Sequence, residues 1–290
     1  MRALVTGAAG FIGTHLVESL ERAGHDVLPL DKKIGTGRRV VVCDIEHRNA
    51  LMSVFEQFEP DVVFHLAAEA SVPKSFEQPL ETHDVNVTGT LNVLEAAKSG
   101  SVRHMVFASS CAVYAEPRIC QPIRESSPFG PVSLYGLHKE IGEQYCKMYA
   151  DVYGLPTVVL RFFNVFGPGA RSEGPYASVI AKFLERRSQG QPMEIHGDGT
   201  QQRDFVHVQD VVRALILAAA ISDSNGSVFN VGTGIALSVN DIAKIVDGPI
   251  ERGPKRSREP SYVCAHTEWS RNGLGWTAKI SVAEGVAELK

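Results

Sequence analysis

Along the first 165 residues, short apolar runs alternate with stretches whose apolar positions return every three or four residues. Residues 3–5 form the first run. Ile12, Leu16, Leu20 and Ala23 then share one face at helical spacing. A second run at 26–30 is closed by Asp31, a third at 40–43 by Asp44, and a fourth at 61–65 leads into Leu66, Ala67 and Ala68. Further strands are predicted at 102–108 and 157–163. Helical faces are predicted at 79–98 (Val87, Leu91, Leu94) and 134–153 (Ile141, Tyr145, Met148, Val152). Strands separated by helices imply a parallel, doubly wound α/β sheet. Ligands of such sheets bind beyond the strand C-termini. Polar residues stand at those ends: Asp31, Asp44, Ser109, Ser110 and Asn164.

After residue 165 the pattern shortens. Gly and Pro cluster at 167–169 and 174–175, and loops are predicted at 197–202 and 248–260. The expected organisation is a dinucleotide-binding domain over 1–165 and a smaller α/β lobe over 166–290 that holds the substrate. Helix 207–221 and strand 228–231, within 207–232, are expected to return to the main sheet.

Gly7, Gly10 and Gly13 sit between the first strand and the first helical face. Gly7 frees the backbone to bend, Gly10 removes a Cβ where phosphates approach, and Gly13 lets the helix lie close on the strand. The helix N-terminus then presents free N–H groups to a pyrophosphate. The spacing is G-x-x-G-x-x-G rather than G-x-G-x-x-G, so its context carries the reading. Asp31, closing the second strand, is where an acid meets the adenosine ribose hydroxyls. That acid repels a 2′-phosphate and favours NAD over NADP, against the nearby Lys32, Lys33, Arg38 and Arg39. Together these features predict a Rossmann-like domain.

Composition narrows the class without changing it. The chain has 290 residues, 44% of them hydrophobic and 21% charged, values of an ordinary globular protein. A net charge of −4 gives no footprint for nucleic acid or an anionic membrane. No apolar run reaches the roughly 18 residues that span a bilayer, and no basic-then-apolar leader opens the chain. Cys43, Cys111, Cys120, Cys146 and Cys264 lack C-x-x-C spacing, which fits a reducing cytoplasm and no metal cluster.

Tyr135 and Lys139 form a Y-x-x-x-K pair on one helical face. A tyrosine hydroxyl titrates near pH 10, too high for a base at neutral pH. A nearby ammonium and the positive charge of an oxidised nicotinamide both favour phenolate. Ser110, at a strand end, can donate a hydrogen bond to the reacting oxygen. Other reactive side chains read as packing: Cys111 as a packed thiol, His65 as a core histidine, His138 off the Tyr135–Lys139 face, and Lys255 and Arg258 as solvated.

In combination these motifs resemble the extended short-chain dehydrogenase/reductases, and within them the UDP-glucose 4-epimerase type. The resemblance covers TGAAGFIG (6–13), HLAAEASV (65–72), DVNVTGTLNVLEAA (84–97), SSCAVY (109–114), LYGLHK (134–139) and RFFNVFGPG (161–169). It continues through MEIHGDGTQQRDFVHVQD (193–210), FNVGTG (229–234) and LGW (274–276).

The resemblance implies Ser110, Tyr135 and Lys139 as the catalytic trio, with Lys139 also on the nicotinamide ribose. It implies a cofactor site of Gly7, Gly10, Phe11, Ile12, Gly13, Asp31, Lys32, Asp44, Ile45, Leu66, Ala67, Ala68, Asn86, Ser109 and Phe162. It implies UDP-sugar contacts from Ser71, Val72, Ser110, Asn164, Val179, Lys182 and His196, with Arg203 and Arg256 clamping the diphosphate and Glu259 in place of the usual aspartate. Ala181, Arg258 and His266 depart from the common proline, glycine and aspartate, and the final helix is expected to be short. Four residues past Glu259, Val263 takes the position where a tyrosine excludes N-acetyl sugars and a small residue admits them.

The activity implied by the resemblance is NAD-dependent epimerisation at C4 of a UDP-hexose through a 4-keto sugar, in a cytoplasmic homodimer. Relatives that dehydrate carry carboxylates at positions matching Cys111 and Ala112, relatives that decarboxylate carry a glutamate matching Ala112, and this chain has neither. A UDP-glucuronate epimerase or an atypical UDP-sugar dehydratase is the alternative. A non-catalytic dinucleotide sensor is the remote one, and an intact Tyr135 and Lys139 argue against it.

Overall fold

The computed structural model describes residues 1–34, 39–100, 102–117, 119–174, 178–221, 226–255 and 260–290. Its strands are β1 (Arg2–Thr6), β2 (Asp26–Asp31), β3 (Val41–Val42), β4 (Val62–His65), β5 (His104–Ser110), β6 (Thr157–Phe162), β7 (Asn164–Phe166), β8 (Met193–His196), β9 (Gln202–His207), β10 (Ser227–Val231), β11 (Ala236–Ser238), β12 (Ile250–Gly253) and β13 (Tyr262–Val263). Its helices are α1 (Phe11–Arg22), α2 (Arg48–Phe58), α3 (Val72–Glu77), α4 (Pro79–His83), α5 (Gly89–Ser99), α6 (Leu134–Tyr153), α7 (Val179–Ser188), α8 (Val208–Ala218), α9 (Val239–Val246), α10 (Glu268–Gly273) and α11 (Val282–Leu289).

Among the described residues, seven strands form one parallel sheet in the order β10-β6-β5-β4-β1-β2-β3. The doubly wound Rossmann-like architecture is thus present. The strands lack polar alternation because both faces are covered, as parallel sheets require. Successive residues of a strand enter opposite layers: Leu4, Val63 and Phe107 pack with Leu51, Phe55, Leu94 and Tyr149. Val5, Phe64 and Val106 pack with Leu16, Leu20, Val211 and Leu215 of α1 and α8. The chain leaves β1 toward β2 on one side and later fills β4 on the other. The crevice for a ligand therefore opens where β1 and β4 end.

The segment predicted as one helix over 79–98 is divided. α4 ends at His83, a π-helical turn occupies Asp84–Thr88, and α5 follows. The wide turn faces Asn86 inward, where its amide both donates to Glu69 O (2.9 Å) and accepts from Glu69 N (2.8 Å). Helical periodicity alone cannot register that clamp. The third strand is also shorter than 40–43, holding only Val41 and Val42.

Residues beyond 165 serve two layers. β10 lies at the edge of the large sheet beside β6, and α8 packs on its α1 face. β8 and β12 pair in parallel. Phe183, Met193, Ile195, Ile242 and Val246 form a separate apolar cluster over that pair. β9 joins the layers: residues 202–204 pair with β11 and residues 202–203 with β13, while 205–207 pair with β7. Among the described residues no helix is long and apolar enough to cross a membrane.

Candidate active site

At the end of β1 the backbone turns through Gly7, whose φ is +70°. Gly10 caps α1, and its N–H donates to Gly7 O at 3.0 Å. A Cβ on Gly13 would stand 2.2 Å from Gly7 O, so only glycine lets α1 lie against the turn. The result is a cradle in front of a helix N-terminus, the shape that receives a pyrophosphate.

The cradle opens into a cavity of about 660 Å³. Gly7, Gly10, Phe11, Ile12, Gly13, Asp31, Lys32, Asp44, Ile45, Leu66, Ala67, Ala68, Ser109, Tyr135, Lys139 and Phe162 all line it. Asn86 does not; it acts one step back, through the backbone of Glu69. Asp31 accepts from Ala9 N and Lys33 N, each at 3.1 Å. These bonds fix its carboxylate at the end of β2, where the ribose of a dinucleotide would lie. Volume, cradle and acid together fit an NAD molecule.

Sequence periodicity missed part of the wall. Glu69, Lys74 and Glu81 also line the cavity. Lys74 Nζ bridges the two carboxylates at 2.9 and 2.6 Å. Only the fold-back of α4 on α3 brings Glu81 to Lys74, so no spacing rule announces the pair.

The catalytic candidates converge at the inner end. Ser133 caps α6 by accepting from Gly136 N at 3.0 Å. A Cβ on Gly136 would meet Ala112 O at 2.3 Å. α6 therefore begins hard against the turn after β5, which brings Tyr135 beside Ser110. Ser110 Oγ accepts from Ala112 N at 3.1 Å.

The Lys139 ammonium and an oxidised nicotinamide are the charges expected to favour the Tyr135 phenolate; burial acts against them. Desolvation pushes Tyr135 up to about 12, against the Ser110 hydroxyl that pulls it down, while Cys111 adds to the rise. Lys139 Nζ is engaged elsewhere, donating to Ala108 O at 2.7 Å and lying 4.9 Å from the Phe107 ring centroid. Burial brings Lys139 itself down to about 8.

Neighbouring groups are quiet. The Cys111 thiol is pushed up to about 12 by burial. His65 is buried, bonds Thr6 Oγ1 at 2.8 Å and Thr90 Oγ1 at 3.0 Å, and is held neutral by desolvation, down to about 3. His138 is buried and packs edge-on to His83, 5.4 Å between centroids.

A second cavity of about 760 Å³ is lined by Asn164, Val179, Lys182, His196 and Arg203. Ala70, Val165 and Ser178 line both cavities, so the two adjoin. Asn164 Nδ2 donates to Asp204 O at 3.1 Å. Arg203 donates to Gln202 O at 2.8 Å. Ser71 is not on this wall: it is buried and caps α3, accepting from Lys74 N at 3.1 Å. Val72 begins α3, exposed, on neither cavity's wall. Arg256 and Glu259, together with Arg38 and Arg258, lie outside the described residues.

Comparison with known proteins agrees with this geometry. The family model described as NAD dependent epimerase/dehydratase family matches residues 3–232. A UDP-glucose 4-epimerase of Mycolicibacterium smegmatis is 36% identical over 307 residues, covering 99% of this chain and 97% of the relative. A UDP-glucose 4-epimerase of Thermotoga maritima, solved with UDP-glucose, superposes with a TM-score of 0.92 at 34% identity, over 99% of this chain and 96% of that one. The UDP-glucose 4-epimerase of Thermus thermophilus, solved with NAD, gives 0.89 at 33% identity, with coverage of 99% and 96%.

Proposed function

The chain belongs to the NAD dependent epimerase/dehydratase family, and on that premise we propose that it is an isomerase that inverts C4 of a UDP-hexose, UDP-glucose to UDP-galactose and back. One observation carries the reading. Tyr135 stands at the inner end of a dinucleotide-sized cavity that adjoins a second, cation-bearing cavity, and Ser110 is followed by Cys111 and Ala112. A thiol held near 12 and a methyl group cannot move the further protons that dehydration requires.

Tyr135 takes the proton of the C4 hydroxyl, and Ser110 donates a hydrogen bond to the same oxygen. Bound NAD supplies a reversible hydride acceptor at C4 and a positive ring charge that favours the phenolate. Lys139 would hold the nicotinamide ribose, its ammonium adding positive charge near Tyr135. Asp31 and the glycine cradle hold the cofactor between turnovers. Asn164 and Arg203 grip the diphosphate, an anion that a guanidinium pairs bidentately. Lys182 and Val179 lie toward the nucleoside. The 4-keto sugar turns over in the second cavity and is reduced on its opposite face, with Tyr135 returning the proton.

The molecule is proposed to act as a cytoplasmic homodimer. Leu137, Met148 and Val152 leave an exposed apolar stripe on α6, and the five cysteines are free. A monomeric mass at micromolar concentration would refute the dimer.

The deciding experiment incubates the purified protein with UDP-glucose, UDP-N-acetylglucosamine and UDP-glucuronate, separates the products and identifies the nucleotide released on denaturation. UDP-galactose and NAD are expected. Epimerisation of the glucuronate alone, or recovered NADP, would replace this reading.

A further inference from the structure

One helical turn beyond Lys139 on α6 lies a carboxylate shut away from solvent. Glu143 is 4% exposed, and its partner Arg161 of β6 is 3% exposed. Arg161 Nε reaches both oxygens of Glu143, at 2.9 and 3.1 Å, and a terminal nitrogen closes the fork at 2.6 Å. The hydroxyl of Ser109 donates to the same carboxylate. On the far side Arg161 donates to Tyr114 Oη (2.8 Å) and Glu125 O (2.9 Å). Tyr114 in turn donates to Asn230 Oδ1 at 2.6 Å. Segments far apart in sequence thus close on one ion pair.

A buried ion pair recovers its desolvation cost only with good geometry and satisfied lone pairs, and is weak evidence for stability. Its placement suggests another use. Ser109 lines the first cavity and is bonded in sequence to Ser110. Residues four apart on a helix are neighbours, so Glu143 sits beside Lys139. We propose that Glu143 is a positioning residue of the active site: held by Arg161, it anchors the end of β5 through Ser109 and supplies the negative charge that keeps Lys139 an ammonium. This rests on Lys139 acting in the proposed epimerisation.

The groups that face Lys139 leave Glu143 in that role. β4 offers His65, which is neutral. β5 offers the Ala108 carbonyl and the Phe107 ring face, both uncharged. α6 itself offers Tyr135, His138 and Cys146. Burial raises Tyr135 and Cys146 and lowers His138, so all three are neutral at pH 7. Two groups oppose the desolvation of Lys139, Cys146 foremost and then Glu143; burial keeps the Cys146 thiol protonated, which leaves Glu143 as the ionised one.

The test labels lysines with ¹³C at Cε in the NAD-saturated protein, assigns Lys139 by Lys139→Met, and titrates it by NMR. In Glu143→Gln the countercharge goes and Arg161 is left unpaired nearby, so the Lys139 midpoint falls by about one unit. The alkaline limb of the rate profile moves down with it, and Glu143→Asp moves both back. Should Glu143→Gln fail to fold, the double variant Glu143→Met with Arg161→Met replaces the pair by apolar volume. It is expected to give a smaller fall of the same sign. An unchanged Lys139 midpoint in whichever of these variants folds overturns the proposal. If the variants show the shift but the unmodified protein turns over no UDP-sugar, the epimerase reading falls instead.

Discussion

The Asp204 carboxylate accepts both the main-chain N–H and the hydroxyl of Thr233, each at 2.7 Å. Its other oxygen takes Gly234 N at 2.9 Å and Ala265 N at 3.1 Å. The side chain is fully buried. It ties β9, which carries Arg203, to the loop after β10 and to the chain leaving β13. Asp204→Asn puts an amide N–H among donors. The expected cost is about 2–4 kcal/mol of stability, with weaker UDP binding because Arg203 and Asn164 lose their register. Thr233→Val removes one donor and should cost about 1 kcal/mol. Denaturant unfolding and UDP titration of the two variants check both parts.

Tyr135→Phe keeps the ring and its packing and deletes the base. Turnover should fall to a few per cent or less, with UDP-sugar affinity held within about tenfold. Steady-state rates and direct binding separate the two; retained turnover would remove Tyr135 from its role.

Lys139 carries a stability signature. Its folded value of about 8 lies below the ordinary 10.5. The unfolded chain therefore binds the extra proton between those values, and stability rises with pH across that window. Below pH 8 the burial of the charge costs its full amount, on the order of 3 kcal/mol. Lys139→Met should inactivate the protein yet raise its Tm at pH 7, since Glu143 keeps Arg161 as partner. The gain should shrink as pH climbs from 8 toward 10.5. Thermal unfolding across that range tests it, and a gain independent of pH would contradict the assignment.

Val263 of β13 is the position expected to set sugar scope. Val263 pairs with Arg203 of β9 and packs, with Cys111, against Val113, Phe163 and Ala265. That places a small side chain beside the turn that follows Ser110. UDP-N-acetylglucosamine should be accepted alongside UDP-glucose, and Val263→Tyr should abolish only the acetylated substrate. Strict UDP-glucose activity in the unmodified protein would refute the open position.

Local chemistry wrote much of the site into the chain. The glycine turn, the acid at the end of β2 and the Tyr135–Lys139 face of α6 each depend on residues a few positions apart. α6 spans the predicted 134–153. A turn needs its own glycines and a helical face its own spacing, so a linear pattern suffices to reveal them. Other features join residues far apart in sequence: Asn86 to Glu69, Glu143 to Arg161, Asp204 to Thr233 and Ala265. The upward shift of Tyr135 belongs with these. Spacing counts the neighbouring charge and is silent on burial. Desolvation is set by every element packed around the hydroxyl, and only the assembled sheet and helices determine how much water is excluded.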